Sequence, residues 1–128
     1  MNATPVAPAS PEADSLDAAA LARLRELDPD GRHGVLVRVL TAYESSLNRL
    51  LAQLEAARTQ GDPAAVAAVA HTLKSSSASV GALGLAATCA RAEARLRAAD
   101  LDALHDDVDQ MLLQGRAALR TVGAMLRP

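Results

Sequence analysis

The chain has 128 residues, 13 basic and 15 acidic, for a formal net charge of −2. That balance lacks the basic surplus needed to bind a phosphate backbone or an anionic membrane. It holds 30 Ala and 20 Leu but no Ile, Phe or Trp and a single Tyr. Unbranched Leu and Ala favour helix, whereas strands draw on the aromatic and β-branched residues that are scarce here, so an all-β fold is excluded. The length fits one domain whose core needs no disulfide or structural metal. The lone cysteine, Cys89, has no internal partner and fits a reduced, cytoplasmic setting. No apolar run nears the roughly 20 residues that span a bilayer, and the N-terminus has no signal-like basic and apolar regions, so a soluble, unprocessed protein is expected.

Residues 1–14 carry Pro5, Pro8 and Pro11 among Ala, Ser and Thr, the composition of a flexible tail or linker. The folded domain is expected over 15–128. Asp17 can cap a short helix carrying Leu21, Leu24 and Leu27, and Asp28-Pro29-Asp30-Gly31 stops it with turn chemistry. A long second helix is predicted from about His33 to Arg58, because Leu36, Val39, Leu40, Tyr43, Leu47, Leu50 and Leu54 recur at three- and four-residue steps. Gly61 ends it. Asp62 and Pro63 then start a third helix, since Asp accepts from free N–H groups and Pro has none to leave unpaired. That helix runs to about Val80 and Gly81 breaks it. A fourth carries Leu85, Cys89, Ala92 and Leu96, and Asp100 is expected to cap a fifth with Leu101, Leu104, Val108, Met111, Leu112, Leu119 and Val122 on one side. Four amphipathic helices with short connections bury their stripes most simply as an antiparallel four-helix bundle, here with a short additional N-terminal helix. The fold class is all-α.

The third helix departs from simple amphipathicity. At about 100° per residue, Val66, Val69, Ala70, Leu73, Ser77 and Val80 lie within roughly 40° of one direction, which is the core face. His71 falls about 140° away and should look into solvent among Ala64, Ala67, Ala68, Ser75 and Ala78. Small neighbours leave room for another protein to approach the ring. Lys74 is the chain's single lysine beside twelve arginines, and residues three apart on a helix are neighbours. Its compact ammonium suits a phosphoryl oxygen, while neutral imidazole is a nucleophile near neutral pH. The pair therefore suits a phosphohistidine, although a lone surface histidine beside a lysine also arises with no chemistry attached.

The run Ala70-His71-Thr72-Leu73-Lys74-Ser75-Ser76-Ser77, followed by Gly81-Ala82, Leu85, Cys89 and Glu93, resembles the signature of histidine-containing phosphotransfer (HPt) domains. Upstream, the leading Leu-rich helix, the long second helix with Tyr43 where that family often has Phe, and the Gly61-Asp62 turn extend the likeness over about residues 16 to 126. The resemblance implies a phosphoryl carrier rather than an enzyme. It implies that His71 accepts a phosphoryl group through Nε2 from a receiver-domain aspartyl phosphate and passes it to another receiver. Lys74 would stabilise the phosphoryl charge, the receiver would supply Mg²⁺ and most catalytic groups, and Gly81 would allow the turn after the third helix. The implied partners are receiver domains of response regulators and of hybrid sensor histidine kinases. No cofactor, nucleic acid or membrane is implied, and the expected state is a cytoplasmic monomer. Ser75 stands where the family usually has Gly, yet it is small enough for close docking.

Other candidates read more plainly. Glu93 is taken mainly as half of an exposed i, i+4 ion pair with Arg97, with a role beside the active helix as the lesser reading, and Arg97 could rim the docking surface. His33 and His105 lack metal-ligand spacing with each other or with Cys89, so no metal site is expected. Cys89 lies on the core stripe as a small hydrophobe, and Gly115 is expected to permit close helix contact. A sensor kinase's dimerisation helix usually has Pro four or five residues after its histidine, where this chain has Ser75 and Ser76, so autophosphorylation from ATP is not expected. The alternative function is a helical adaptor that binds a receiver or kinase without phosphate chemistry.

Overall fold

The computed structural model describes residues 16–128, and the expected tail over 1–14 lies outside the described residues. Five helices follow one another: α1 Ala18–Glu26, α2 Val35–Gln60, α3 Pro63–Ser79, α4 Leu83–Arg97 and α5 Leu104–Leu126. No strand occurs among the described residues. Helix α2 packs against α3 and α5, and α4 packs against α3 and α5, which closes an antiparallel four-helix ring with α1 laid against α2. None of the described helices is long and apolar enough to cross a membrane.

Helix ends follow local chemistry. The Asp17 carboxylate accepts from the Ala20 N–H at 3.0 Å and caps α1. Buried Asp28 accepts from the backbone N–H groups of His33 (3.1 Å) and Val35 (3.2 Å), tying the turn to the start of α2. Gly61 ends α2 with φ +63, a left-handed conformation open to glycine. Asp62 caps α3 by accepting from Ala65 N–H at 3.1 Å, with Pro63 at the first helical position.

Two expectations for α5 are corrected. Asp100 does not cap it: the helix begins at Leu104 after Ala103, with no side-chain cap, and Asp100 instead accepts from Asp102 N–H at 3.3 Å within the loop. Leu101 therefore lies before the helix and is 49% exposed rather than part of its buried stripe. The remaining stripe holds, with Val108, Met111, Leu112 and Val122 buried.

The core sits inside the ring, where Leu40, Leu47 and Leu54 of α2 meet Leu73 of α3, Cys89 of α4 and Met111 of α5. Burying each such leucine contributes about 2 to 3 kcal/mol relative to leaving it in water. The Tyr43 hydroxyl and the Ser77 hydroxyl share a buried hydrogen bond at 2.9 Å, which explains a serine on the core face of α3: each polar group satisfies the other. Burial raises the Tyr43 pKa, an effect opposed by that hydrogen bond. Burial also pushes the Cys89 thiol up to about 12, helped by the negative charge of Glu93, so it stays a protonated, inert hydrophobe.

Ion pairs Glu44–Arg127, Glu55–Arg116 and Arg58–Asp109 line the α2–α5 seam. Gly115 is forced by the same seam, because a Cβ there would stand 2.6 Å from Leu51 Cδ2.

Candidate functional site

Helix α3 buries Val66, Val69, Ala70, Leu73 and Ser77 and turns His71 outward, its side chain 69% exposed. Around it, Ala64, Ala68, Ser75 and Ala78 are exposed and Ala67 is half-buried. Lys74 stands on the α4 side of the same face, 37% exposed.

What holds the imidazole comes from the next helix. Glu93 of α4 lies 2.8 Å from His71 Nδ1 through Oε2 and receives the Lys74 ammonium at 2.6 Å through Oε1. Its side chain is only 13% exposed. The reading of Glu93 as chiefly an exposed partner of Arg97 is corrected: Arg97 Nη1 does approach Oε2, but at 3.8 Å, while the shorter bonds go to α3. Helical spacing reports neighbours within α4 and not those across the α3–α4 interface. A signal was present. His71 lies ten residues before Gly81 and Glu93 eleven after Ala82, so an antiparallel hairpin folded at that turn sets them side by side.

Hydrogen bonds from Lys74 first, then from His71, hold the Glu93 carboxyl below the usual carboxylate range. An ionised carboxylate can only accept, so the bond to the ring requires the proton on Nδ1. In the neutral ring the other nitrogen, Nε2, then keeps its lone pair, on a side chain open to solvent. The site can thus offer a neutral nitrogen nucleophile with a cation about one helical turn away.

The turn that brings α4 back depends on Gly81, whose φ is +86. A Cβ at Gly81 would stand 2.6 Å from the Asp17 backbone N, where the Asp17 N–H donates to the Gly81 carbonyl at 2.8 Å. Gly81 therefore serves both the turn and the docking of α1.

Two shallow grooves flank the outer face of α3. One is lined by Ala64, Ala67, Glu93, Leu96, Arg97 and Leu101, the other by Arg49, Gln53, Ala68 and Thr72 among others from α2 and α3. His33 and His105 lie away from the site on the surface, and His105 approaches Asp109 at 3.5 Å. Among the described residues no group of three or more His, Cys, Asp or Glu is placed to hold a metal.

The Hpt domain family profile matches residues 38–123. The crystal structure of histidine-containing phosphotransfer protein B (HptB) from Pseudomonas aeruginosa PAO1 is similar, with a TM-score of 0.77 and 25% identity, over 92% of this chain and 96% of that chain. Comparison with curated proteins gives no match. A helical bundle with this profile is a phosphocarrier, a class that holds a phosphoryl group in transit between proteins. The chain belongs to the Hpt domain family and is a histidine phosphotransfer protein of a phosphorelay. Family membership also implies interaction with receiver domains of response regulators and kinases.

Proposed function

We propose that His71 is the phosphoacceptor, taking a phosphoryl group from the aspartyl phosphate of one receiver domain and giving it to another. The observation that carries this reading is the 2.8 Å bond between Nδ1 and Glu93, which leaves Nε2 as the free basic nitrogen of an exposed ring. The Nε2 lone pair attacks phosphorus. The P–N bond forms as the P–O bond to the aspartyl group breaks, and the electron pair leaves with the aspartate carboxylate.

The ring becomes a phosphoimidazolium whose positive charge faces Glu93. Lys74, three residues along α3, turns its ammonium from Glu93 to a phosphoryl oxygen and balances the arriving charge. The receiver supplies Mg²⁺ and the groups that activate phosphorus, while this chain supplies the nucleophile, its orientation and one cation. The small residues Ala64, Ala67, Ala68, Ser75 and Ala78 let the receiver come close, and Arg97 rims the docking surface. In this reading the protein is a cytoplasmic monomer that bridges a hybrid sensor kinase and a response regulator, with no cofactor of its own.

The test is transfer from a panel of phosphorylated receiver domains to the purified chain, with His71→Gln as control and acid lability as the mark of phosphohistidine. Acid-labile label on the wild type alone is the expected result. Equal labelling of His71→Gln overturns the assignment. If no receiver labels the wild type while unphosphorylated receivers bind it, the adaptor function replaces the carrier.

A further inference from the structure

Charge is spread unevenly over this chain, and the face around His71 is its basic part. The whole sequence carries a formal net charge of −2. Helix α3, Pro63–Ser79, contains no Asp or Glu, and the two carboxylates of α2, Glu44 and Glu55, are bonded to Arg127 and Arg116 on the α5 side. The ring and its two flanking grooves carry Arg49, Lys74 and Arg97 against the single carboxylate of Glu93.

We infer that Arg49 is a specificity-determining residue, and that the groove between α2 and α3 selects receiver domains that present an apolar ridge edged by a carboxylate. The inference rests on the receiver-docking reading of the site and adds which receivers it takes. The placement of Arg49 follows from the register of the two helices. The hydrogen bond between the Tyr43 and Ser77 hydroxyls ties α2 to α3. Arg49 stands six residues further along α2, and His71 six residues back along antiparallel α3, so each lies about 9 Å from that bond in the same direction. Arg49 is therefore level with the ring, and Thr72 lines the α3 wall of the groove that separates them.

The groove encloses about 430 Å³ and is apolar at its base, where Leu50, Ala57 and Val69 are buried. Its polar rim is formed by Arg49, Gln53, Gln60 and Thr72, all exposed. Among the described residues the Arg49 guanidinium hydrogen-bonds only the Ser46 hydroxyl, at 3.4 Å, and meets no carboxylate. The groove on the other flank differs, because there Arg97 stands 3.8 Å from Glu93, which answers its charge within the chain. One flank thus brings its own counter-charge, and the other leaves that to the partner.

A receiver seated in the groove strips water from the Arg49 guanidinium. With a carboxylate opposite, a charge-assisted pair, bidentate where the planar fork is met squarely, replaces the lost hydration. With a neutral or basic surface opposite, the charge loses its water and gains nothing in exchange. Discrimination therefore comes as much from the penalty on the wrong receiver as from the bond to the right one. A basic face on an acidic chain also steers the encounter, which raises the association rate with an acidic partner at low salt.

The test uses the full chain and a panel of phosphorylated receiver domains chosen to differ in the number of Asp and Glu on the surface around the aspartyl phosphate. The second-order rate of transfer to this chain is measured for wild type, Arg49→Gln and Arg49→Glu. The wild type is expected to prefer the acidic receivers. For these, transfer should slow about fivefold in Arg49→Gln and about tenfold or more in Arg49→Glu. The differences should shrink at about 1 M salt, where charges are screened over about 3 Å. Labelling by phosphoramidate, a small donor that needs no groove, should proceed alike in all three chains. A loss there equal to the loss with receivers would place Arg49 in the chemistry or the fold and overturn the inference. Equal wild-type rates for acidic and neutral receivers, no transfer from the acidic ones, or unchanged rates in both variants also overturn it. Position 49 is exposed on a helix and both replacements are good helix formers; Arg49→Gln decides alone if Arg49→Glu does not fold. Phosphoramidate labelling that survives in His71→Gln overturns the acceptor assignment instead, which keeps the two failures distinct.

Discussion

Lys74→Met tests how much of the phosphoryl charge is balanced from within this chain. Methionine keeps the aliphatic stem and the helix propensity of lysine and removes only the ammonium, so the bundle should fold unchanged. In the resting protein the ammonium is bonded to Glu93 at 2.6 Å, and in the proposed mechanism it exchanges that single charge for a phosphoryl group carrying nearly two. Each pair of unit charges at about 4 Å is worth about 4 kcal/mol at an effective dielectric constant near 20. Because the side chain is 37% exposed, water screens both pairs toward the value of about 1 kcal/mol found for surface ion pairs. The net gain from the exchange is therefore about 1 to 2 kcal/mol, or roughly a 5- to 30-fold bias toward the phosphorylated chain. The assay is the equilibrium distribution of label between this chain and one fixed receiver, compared for wild type and Lys74→Met. The difference should shrink as ionic strength approaches about 1 M, where charges are screened over about 3 Å. An unchanged distribution and unchanged transfer rate at low salt, with the fold intact by circular dichroism, would remove Lys74 from the mechanism.

Gly81→Ala should destabilise the chain by about 3 kcal/mol. A left-handed backbone costs a residue with a Cβ roughly 1 to 2 kcal/mol, and relieving the 2.6 Å approach to the Asp17 backbone N adds about 1 to 3 kcal/mol of displaced packing. A loss below about 1 kcal/mol in urea unfolding would mean that α1 is not seated as described. Acid should loosen the site through Glu93, whose pKa is lowered by Lys74 and His71. A carboxylate of depressed pKa contributes stability that is fully present above its unfolded value of about 4.3 and is lost as pH falls through the lower folded value. The stability difference between wild type and Glu93→Gln, read by urea unfolding, should accordingly shrink as pH falls below the unfolded value and be lost only as it passes through the lower folded value. A difference that persists undiminished into strong acid would assign it to packing rather than to charge.

Much of the fold is legible along the chain because its determinants are local. The stripe Leu40, Tyr43, Leu47, Leu50 and Leu54 sets the buried face of α2 through its period alone, and all five are buried. Caps and stops are equally local: Asp17 and Asp62 satisfy N–H groups three residues on, and Gly61 takes a conformation that residues with a Cβ avoid. The exposure of His71 follows from the same arithmetic, since Val66, Val69, Ala70 and Leu73 claim the opposite face of α3. Local signals compete at the start of α5. Asp100 has the chemistry of a cap, yet the chain spends three more residues in a turn before α5 begins at Leu104, which moves Leu101 out of the buried stripe.

Sequence by itself determined the order of the helices, the buried faces of α2 and α3 and that one histidine with one lysine stands outward on α3, because periodicity and turn chemistry act over a few residues. Only the tertiary structure decided what the histidine touches. Glu93 sits 22 positions from His71 along the chain, and the bond between them exists because the turn at Gly81 folds α4 back beside α3. The same closure sets α1 against Gly81 so closely that no Cβ fits. Contacts of this kind depend on how one helix is placed against another, a relation that no pattern within a single helix encodes.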